Sequence, residues 1–258
     1  MLITIAIIFV VLAMFLLIII NMYTDYTARR EQDLRLISSR TNNIIGECEE
    51  LLLNQAQISF SQTTLLVLHY RIIRALKRRS QVVSKKEFEL IAERISNEER
   101  TVSELATQRM TIQPFRAPEN DYQAIIQLRT LRRLRNILKA EIHAGIPVNV
   151  TDMQREDRRL YLMVLRVNIS NLVQRVTEMK RLRQNGSCRQ LIAKGLDVIN
   201  KAGLKDNWLN EKAEYLNNLR QTIELEARRG NTGKDGKSAA LKQKKDDLDA
   251  LFGDKKKW

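Results

Sequence analysis

With 258 residues, 44% of them hydrophobic and 29% charged, the chain has material for one or two cores, and only 9 Gly and 3 Pro interrupt it. Aromatic residues make up 5%, and the abundance of Leu, Ile, Arg, Glu, Gln and Lys disfavours a β-rich domain and favours long helices. A net charge of +14 calls for an anionic neighbour without choosing one, and the two cysteines, with no CxxC or Cys/His spacing, exclude a zinc signature or a disulfide framework.

The first predicted element is a membrane span. Leu2 to Met22 is apolar apart from Thr4 and Asn21, and no charged side chain precedes Asp25. About 20 mainly apolar residues cross a hydrocarbon core of roughly 30 Å, so residues 2–24 read as a single-pass transmembrane helix. Tyr23 and Tyr26 fall where amphipathic rings sit, at the boundary of lipid and water. Arg29, Arg30, Arg35 and Arg40 follow the run and no Lys or Arg precedes it. The positive-inside rule therefore puts the short N-terminus outside and the body in the cytoplasm, at an inner or plasma membrane. A cleaved secretory signal fits poorly, because the basic n-region and the small-residue cleavage site are missing.

From residue 29 to residue 80 the spacing predicts a heptad-patterned stalk helix. Leu34, Ile37, Thr41, Ile44, Cys48, Leu51, Gln55, Ile58, Gln62, Leu65, His69, Ile72 and Leu76 recur at intervals of three and four, the signature of a coiled-coil seam. The partner is either a second copy or another helix of the same chain. Gly46 and residues 59–64 are the places where the helix can break.

A helical bundle is expected over 84–228. Its first helix runs from Ser84, an N-cap with Glu87 at the capping-box position, to Met110, burying Phe88, Ile91, Ile95, Val102 and Leu105. Pro114 and Pro118 interrupt the chain before a helix over 121–144 that Gly145 closes. Thr151 or Asp152 caps the longest helix, which reaches Arg183 and carries a wide stripe of Leu160, Leu162, Val164, Leu165, Val167, Ile169, Leu172, Val176 and Met179. Asn185-Gly186 reads as a turn, followed by helices over 188–202 and 206–228, the last burying Trp208, Leu209, Ala213, Leu216, Leu219 and Ile223. Short connections make consecutive helices antiparallel hairpins.

Catalytic chemistry has little foothold. His69 lies on the stalk seam with no carboxylate in its own segment, and His143 sits at a helix C-terminus, where the dipole favours it. Gly236-Lys237-Ser238 fails as a P-loop because Asn231 stands where a Gly is required. No enzyme, cofactor or metal site is expected. Two acid-free stretches stand out instead. Arg71, Arg74, Lys77, Arg78 and Arg79 accumulate in one, Arg129, Arg132, Arg133, Arg135 and Lys139 in the other. Beside a membrane they are candidates for binding anionic lipid, at about 1 kcal/mol per cation near the surface. Nucleic acid is the weaker expectation, since only Tyr122 offers a stacking ring on the second helix.

Residues 229–258 are too polar to fold alone and read as a disordered tail. Within it, 246–252 has the pattern of a short recognition helix. Asp246 and Asp247 lie at its N-terminal end, Leu248, Leu251 and Phe252 share one face, and Lys255 to Lys257 follow Gly253. So short a helix needs a partner's groove to persist. Asp246-Asp-Leu-Asp-Ala-Leu-Phe-Gly253 resembles the acidic, leucine-containing terminal peptides by which the chemotaxis phosphatase and the flagellar switch protein engage their response regulator. The resemblance covers eight residues and implies a compact cytosolic signalling domain as partner, with no phosphatase role. The expectation is an all-α, membrane-anchored scaffold or adaptor, a homo-oligomer, that recruits a cytosolic protein through Asp246, Asp247, Leu248, Leu251 and Phe252. A signalling relay through the stalk, or a membrane-tethered binder of anionic lipid or nucleic acid, is the alternative.

Overall fold

The computed structural model describes residues 2–54, 58–108, 110–204 and 206–230, with side-chain environments from residue 14 to residue 226. The regular elements among them are all α-helices: α1 (Leu2–Leu53), α2 (Gln62–Ser80), α3 (Lys85–Thr107), α4 (Asp121–Ala144), α5 (Val150–Arg181), α6 (Asn185–Ala202) and α7 (Asn207–Gly230). They divide between two compact units, Met1–Leu53 with Leu65–Met110 and Asn54–Thr64 with Thr111–Trp258.

The first unit is made by α1, α2 and α3. The predicted single helix over 29–80 is two helices, broken after Leu53 and resumed at Gln62, within reach of the Ser59 to Thr64 break point. Because α1 and α2 fold back on each other, the seam finds its partner inside the chain. Arg79 Nη1 donates to Asn42 Oδ1 at 2.6 Å and Arg71 lies 3.7 Å from Glu47, so the two helices run antiparallel. Thr41, Cys48, Leu51, Leu65, Ile72 and Leu76 of the seam are all buried. Thr41 is tolerated there because its hydroxyl donates to Ile37 O at 2.9 Å within its own helix. Helix α3 is held more thinly. Ile91 and Val102 are buried, while Phe88, expected on the buried face, is exposed. Ser84 is its N-cap but makes no side-chain capping bond, so the expected capping box is not formed.

The second unit is built on α5. Arg135 pairs with Asp157 and Asp121 with Arg175, which sets α4 antiparallel to α5. On its other flank Leu172, Val176 and Met179 pack with Cys188, Leu191 and Ile192 of α6 and Leu216 and Ile223 of α7. Every residue from Val167 to Leu172 is buried, so this part of α5 is enclosed on all sides, as its wide apolar stripe requires. Gly195 lets α6 approach closely, since a Cβ there would stand 2.9 Å from Leu172 Cδ2 and 3.2 Å from Leu216 Cδ1. The cap of α5 is Asn149, not Thr151 or Asp152, and its Oδ1 accepts from Thr151 N at 3.0 Å. Asn185 and Gly186 open α6 instead of forming a turn, and the reversal falls on Arg183, with φ 56°.

Candidate functional site

Among the described residues, helix α1 presents a continuous run of exposed apolar side chains. Met14 to Ile20, Met22, Tyr23 and Tyr26 are 52–69% exposed, although Leu, Ile and Phe belong inside a water-soluble fold. The polar side chains among them are satisfied locally: Thr24 Oγ1 donates to Asn21 O at 2.9 Å and Thr27 Oγ1 to Tyr23 O at 3.0 Å. The side chains of residues 2–13, the first half of the span expected over 2–24, lie outside the described ones. Among the described residues no helix is long and apolar enough to cross a membrane.

The two acid-free stretches do not form free basic faces. In the first unit Lys77 Nζ donates to Glu99 Oε1 at 2.8 Å, Arg71 faces Glu47 and Arg79 bonds Asn42, while Arg74, Lys77 and Arg78 are exposed. In the second unit Arg135 is turned inward. Its Nε and Nη2 donate to the two carboxylate oxygens of Asp157 at 2.8 and 3.2 Å, and its guanidinium stacks 4.8 Å from the Tyr161 ring centre. Arg129, Arg132 and Lys139 remain on the outer face of α4, with Arg133 half-buried. Sequence gave no sign of this division, because the acids that answer the cations sit on other helices.

The same holds for His69. Its Nδ1 lies 2.6 Å from Glu98 Oε2 of α3, with both side chains largely buried, so the seam histidine has a carboxylate partner after all. A second polar cluster lies in the second unit. Arg159 Nε donates to Glu156 Oε2 at 2.8 Å, Arg159 Nη2 donates to Glu156 Oε1 at 2.7 Å and to Ser59 O at 3.0 Å, and Thr64 Oγ1 donates to Glu156 Oε1. Burial raises the Glu156 pKa, but the hydrogen bonds and charge of Arg159, with the Thr64 and Ser61 hydroxyls, outweigh it and hold the carboxyl below its ordinary value.

An open cleft is lined by Phe115, Arg166, Asp206 and Trp208. Its groups are engaged with one another. Arg166 Nη2 donates to Asp206 Oδ1 at 2.6 Å, the Arg166 guanidinium carbon lies 5.9 Å from both the Phe115 and Trp208 ring centres, Phe115 meets Trp208 edge-on at 5.6 Å, and Lys212 Nζ lies 5.5 Å from the Trp208 ring centre. This cluster fastens the long segment between α3 and α4, helped by Gln174 Nε2 donating to Pro118 O at 2.7 Å.

Cys48 and Cys188 are buried and unbridged, and burial pushes the Cys188 thiol up in spite of nearby Lys180, which suits a packing residue and not a nucleophile. Among the described residues no group of His, Cys, Asp and Glu is arranged to hold a metal ion. His143 is exposed in the last turn of α4. The tail residues Asp246, Asp247, Leu248, Leu251 and Phe252 lie outside the described residues. No protein-family model, curated protein or solved structure matches this chain.

Proposed function

We propose that the chain is a single-pass membrane scaffold or adaptor whose helical body faces the cytoplasm and whose C-terminal segment recruits a soluble protein. The observation that carries this reading is the state of α1. One unbroken helix of 52 residues begins in the apolar run, and from Met14 to Met22 its large apolar side chains have no protein cover. Lipid is the medium in which such a surface has no cost. The same helix then enters the first unit, so the anchor and the body are joined by backbone hydrogen bonds and not by a flexible link.

Helix length also decides which cations serve the bilayer. Thr24 and Asn42 are separated by about 27 Å of helix at about 1.5 Å per residue, and Arg79 is held at the level of Asn42. Screening extends about 8 Å at physiological ionic strength. With α1 along the membrane normal, Arg71 to Arg79 are out of range, and of the first unit's cations Arg29 and Arg30 come nearest to the headgroups. The seam of α1 and α2, being filled within one chain, is no longer an argument for a homo-oligomer.

Alkaline carbonate extraction of membranes tests the anchor: the intact chain is expected in the pellet, and its release with the soluble fraction overturns the reading. Recruitment is tested by comparing proteins captured by the intact chain with those captured by Leu248→Ala/Leu251→Ala/Phe252→Ala. A specific soluble prey is expected with the first alone; identical prey lists argue against it.

A further inference from the structure

A further acid-free stretch runs from Met179 to Leu196 and forms the reversal between α5 and α6. Lys180, Arg181, Arg183 and Arg189 fall in its first half, the three arginines exposed and the lysine half-buried. Cys188 Sγ donates to Val176 O at 3.6 Å, so Arg189, the next residue of α6, stands level with the last turn of α5, where Lys180 and Arg181 lie. Unlike Arg71, Lys77 and Arg135, these four side chains meet no carboxylate among the described residues.

Acids at this end of the second unit are outnumbered. Glu178 lies in the same turn of α5, Glu224 of α7 is met by Arg220 at 4.0 Å, and Glu226 is followed by Arg228 and Arg229 where α7 ends. Lys180 and Arg181 complement the C-terminal dipole of α5, but Arg183 lies past that helix and Arg189 belongs to the next. Helix α6 begins inside the cluster with neither an acid in its first turn nor a side-chain cap, so its N-terminal dipole adds to the positive field.

Two features mark these cations as a surface for lipid. Leu182 is 50% exposed between Arg181 and Arg183, an apolar side chain left in water at the reversal itself. Arg183 holds φ 56°, a conformation that Gly or Asn adopts at lower cost, although Asn185-Gly186 stands two residues on. A leucine flanked by long cations suits the boundary of a bilayer, where the apolar chain meets the acyl layer and the charged heads extend to the phosphates. Nucleic acid is a poorer fit, since no aromatic residue lies between Met179 and Leu196 for a base to stack on.

We infer that the reversal between α5 and α6 is a docking surface for anionic phospholipid headgroups, with Lys180, Arg181, Arg183 and Arg189 on the phosphates and Leu182 at the acyl boundary. The second unit then has a hold on a bilayer of its own, apart from α1. That hold is electrostatic, so lipid charge and ionic strength govern it, whereas insertion of an apolar helix answers to neither. The inference rests on the membrane setting read from α1 and not on which protein the chain recruits.

The test is the full chain in lipid vesicles, with a fluorophore on Gly186→Cys and a quencher on the lipid headgroups. A Cβ at Gly186 meets nothing within 4 Å, and Cys48 and Cys188, being buried, stay unlabelled. Quenching is expected in vesicles containing phosphatidylserine and not in phosphatidylcholine alone, and not for a label on Val150→Cys, exposed at the other end of α5. Arg181→Glu/Arg183→Glu/Arg189→Glu is expected to weaken the contact at least about tenfold. Lysine at the same three positions should preserve it, because a headgroup layer reads charge and not the guanidinium fork. Equal quenching in the two lipids or at the two labels, indifference to the charge reversal, or binding of a DNA duplex through these arginines without a response to phosphatidylserine overturns the inference. Release of the chain by carbonate, with the label still quenched on added phosphatidylserine vesicles, sinks the anchor and leaves this surface standing.

Discussion

Glu156 is 5% exposed and ionised inside the second unit, and its partners decide how that unit meets acid. Its folded pKa is depressed, so its stabilisation is fully present above the ordinary carboxylate range and is lost as the pH falls through the folded value. Chemical denaturation followed from pH 7 downwards is expected to show stability falling in the acid range, and Glu156→Gln is expected to flatten that fall. At neutral pH the same substitution costs about 3 kcal/mol, because it leaves Arg159 largely buried without its counter-charge. Gly195 is a second residue whose surroundings fix the sign of a change. Alanine gains about 1 kcal/mol in helix propensity there, but its methyl drives into the δ-methyls of Leu172 and Leu216, both buried, at about 1–3 kcal/mol. Gly195→Ala is expected to lower the denaturation midpoint and Gly195→Val to lower it further; a rise for either would mean that the two leucines have room to move.

Among the elements, α2 and α3 contrast most. Helix α2 buries Leu65, Leu68, Ile72, Ile73 and Leu76, whereas α3 buries only Ile91 and Val102 and depends on Arg94–Glu49, Lys77–Glu99 and His69–Glu98. Partly exposed ion pairs contribute up to about 1 kcal/mol each, against about 1.5–3 kcal/mol for a buried aliphatic side chain. Native-state amide exchange is therefore expected to run at least about tenfold faster through α3 than through α2, and the gap should widen in high salt. In the segment between α3 and α4, Phe115 is the ring that anchors the first part. Phe115→Ala removes the edge contact with Trp208 and the stacking surface for Arg166, so limited proteolysis is expected to begin between residues 111 and 117 in that variant and not in the parent chain. These elements also show how far periodicity carries. The stripe of α5 and the buried positions of α7 were legible because each helix supplies its own apolar pattern. The end of α1 at Leu53, the Asn149 cap and the opening of α6 at Asn185 were not, because Asn and Gly serve turns and helix starts alike and tertiary contacts choose between them.

At the scale of the whole molecule, the proposed anchor places the energetics of insertion on α1. A charge placed mid-run, as in Leu17→Arg, is expected to raise the cost of insertion by about 2.5–3.5 kcal/mol and to shift part of the chain out of the membrane pellet. Leu17→Ile should leave the partition unchanged. An unaltered distribution for Leu17→Arg would mean that something other than lipid covers these side chains.

By itself the sequence determined that the described residues are helical, where α4, α5 and α7 lie, and most of the positions that face inward on them, since apolar periodicity is a local property of each segment. It also held the apolar run and the acidic, apolar and basic blocks of the tail. Tertiary structure alone decided which cations are answered. Glu47, Glu99 and Asp157 stand far along the chain from Arg71, Lys77 and Arg135, and only folding brings opposite charges together. It likewise decided that the seam of α1 closes on α2 of the same chain, because a heptad pattern specifies that a partner is needed and carries no information on whose helix it is.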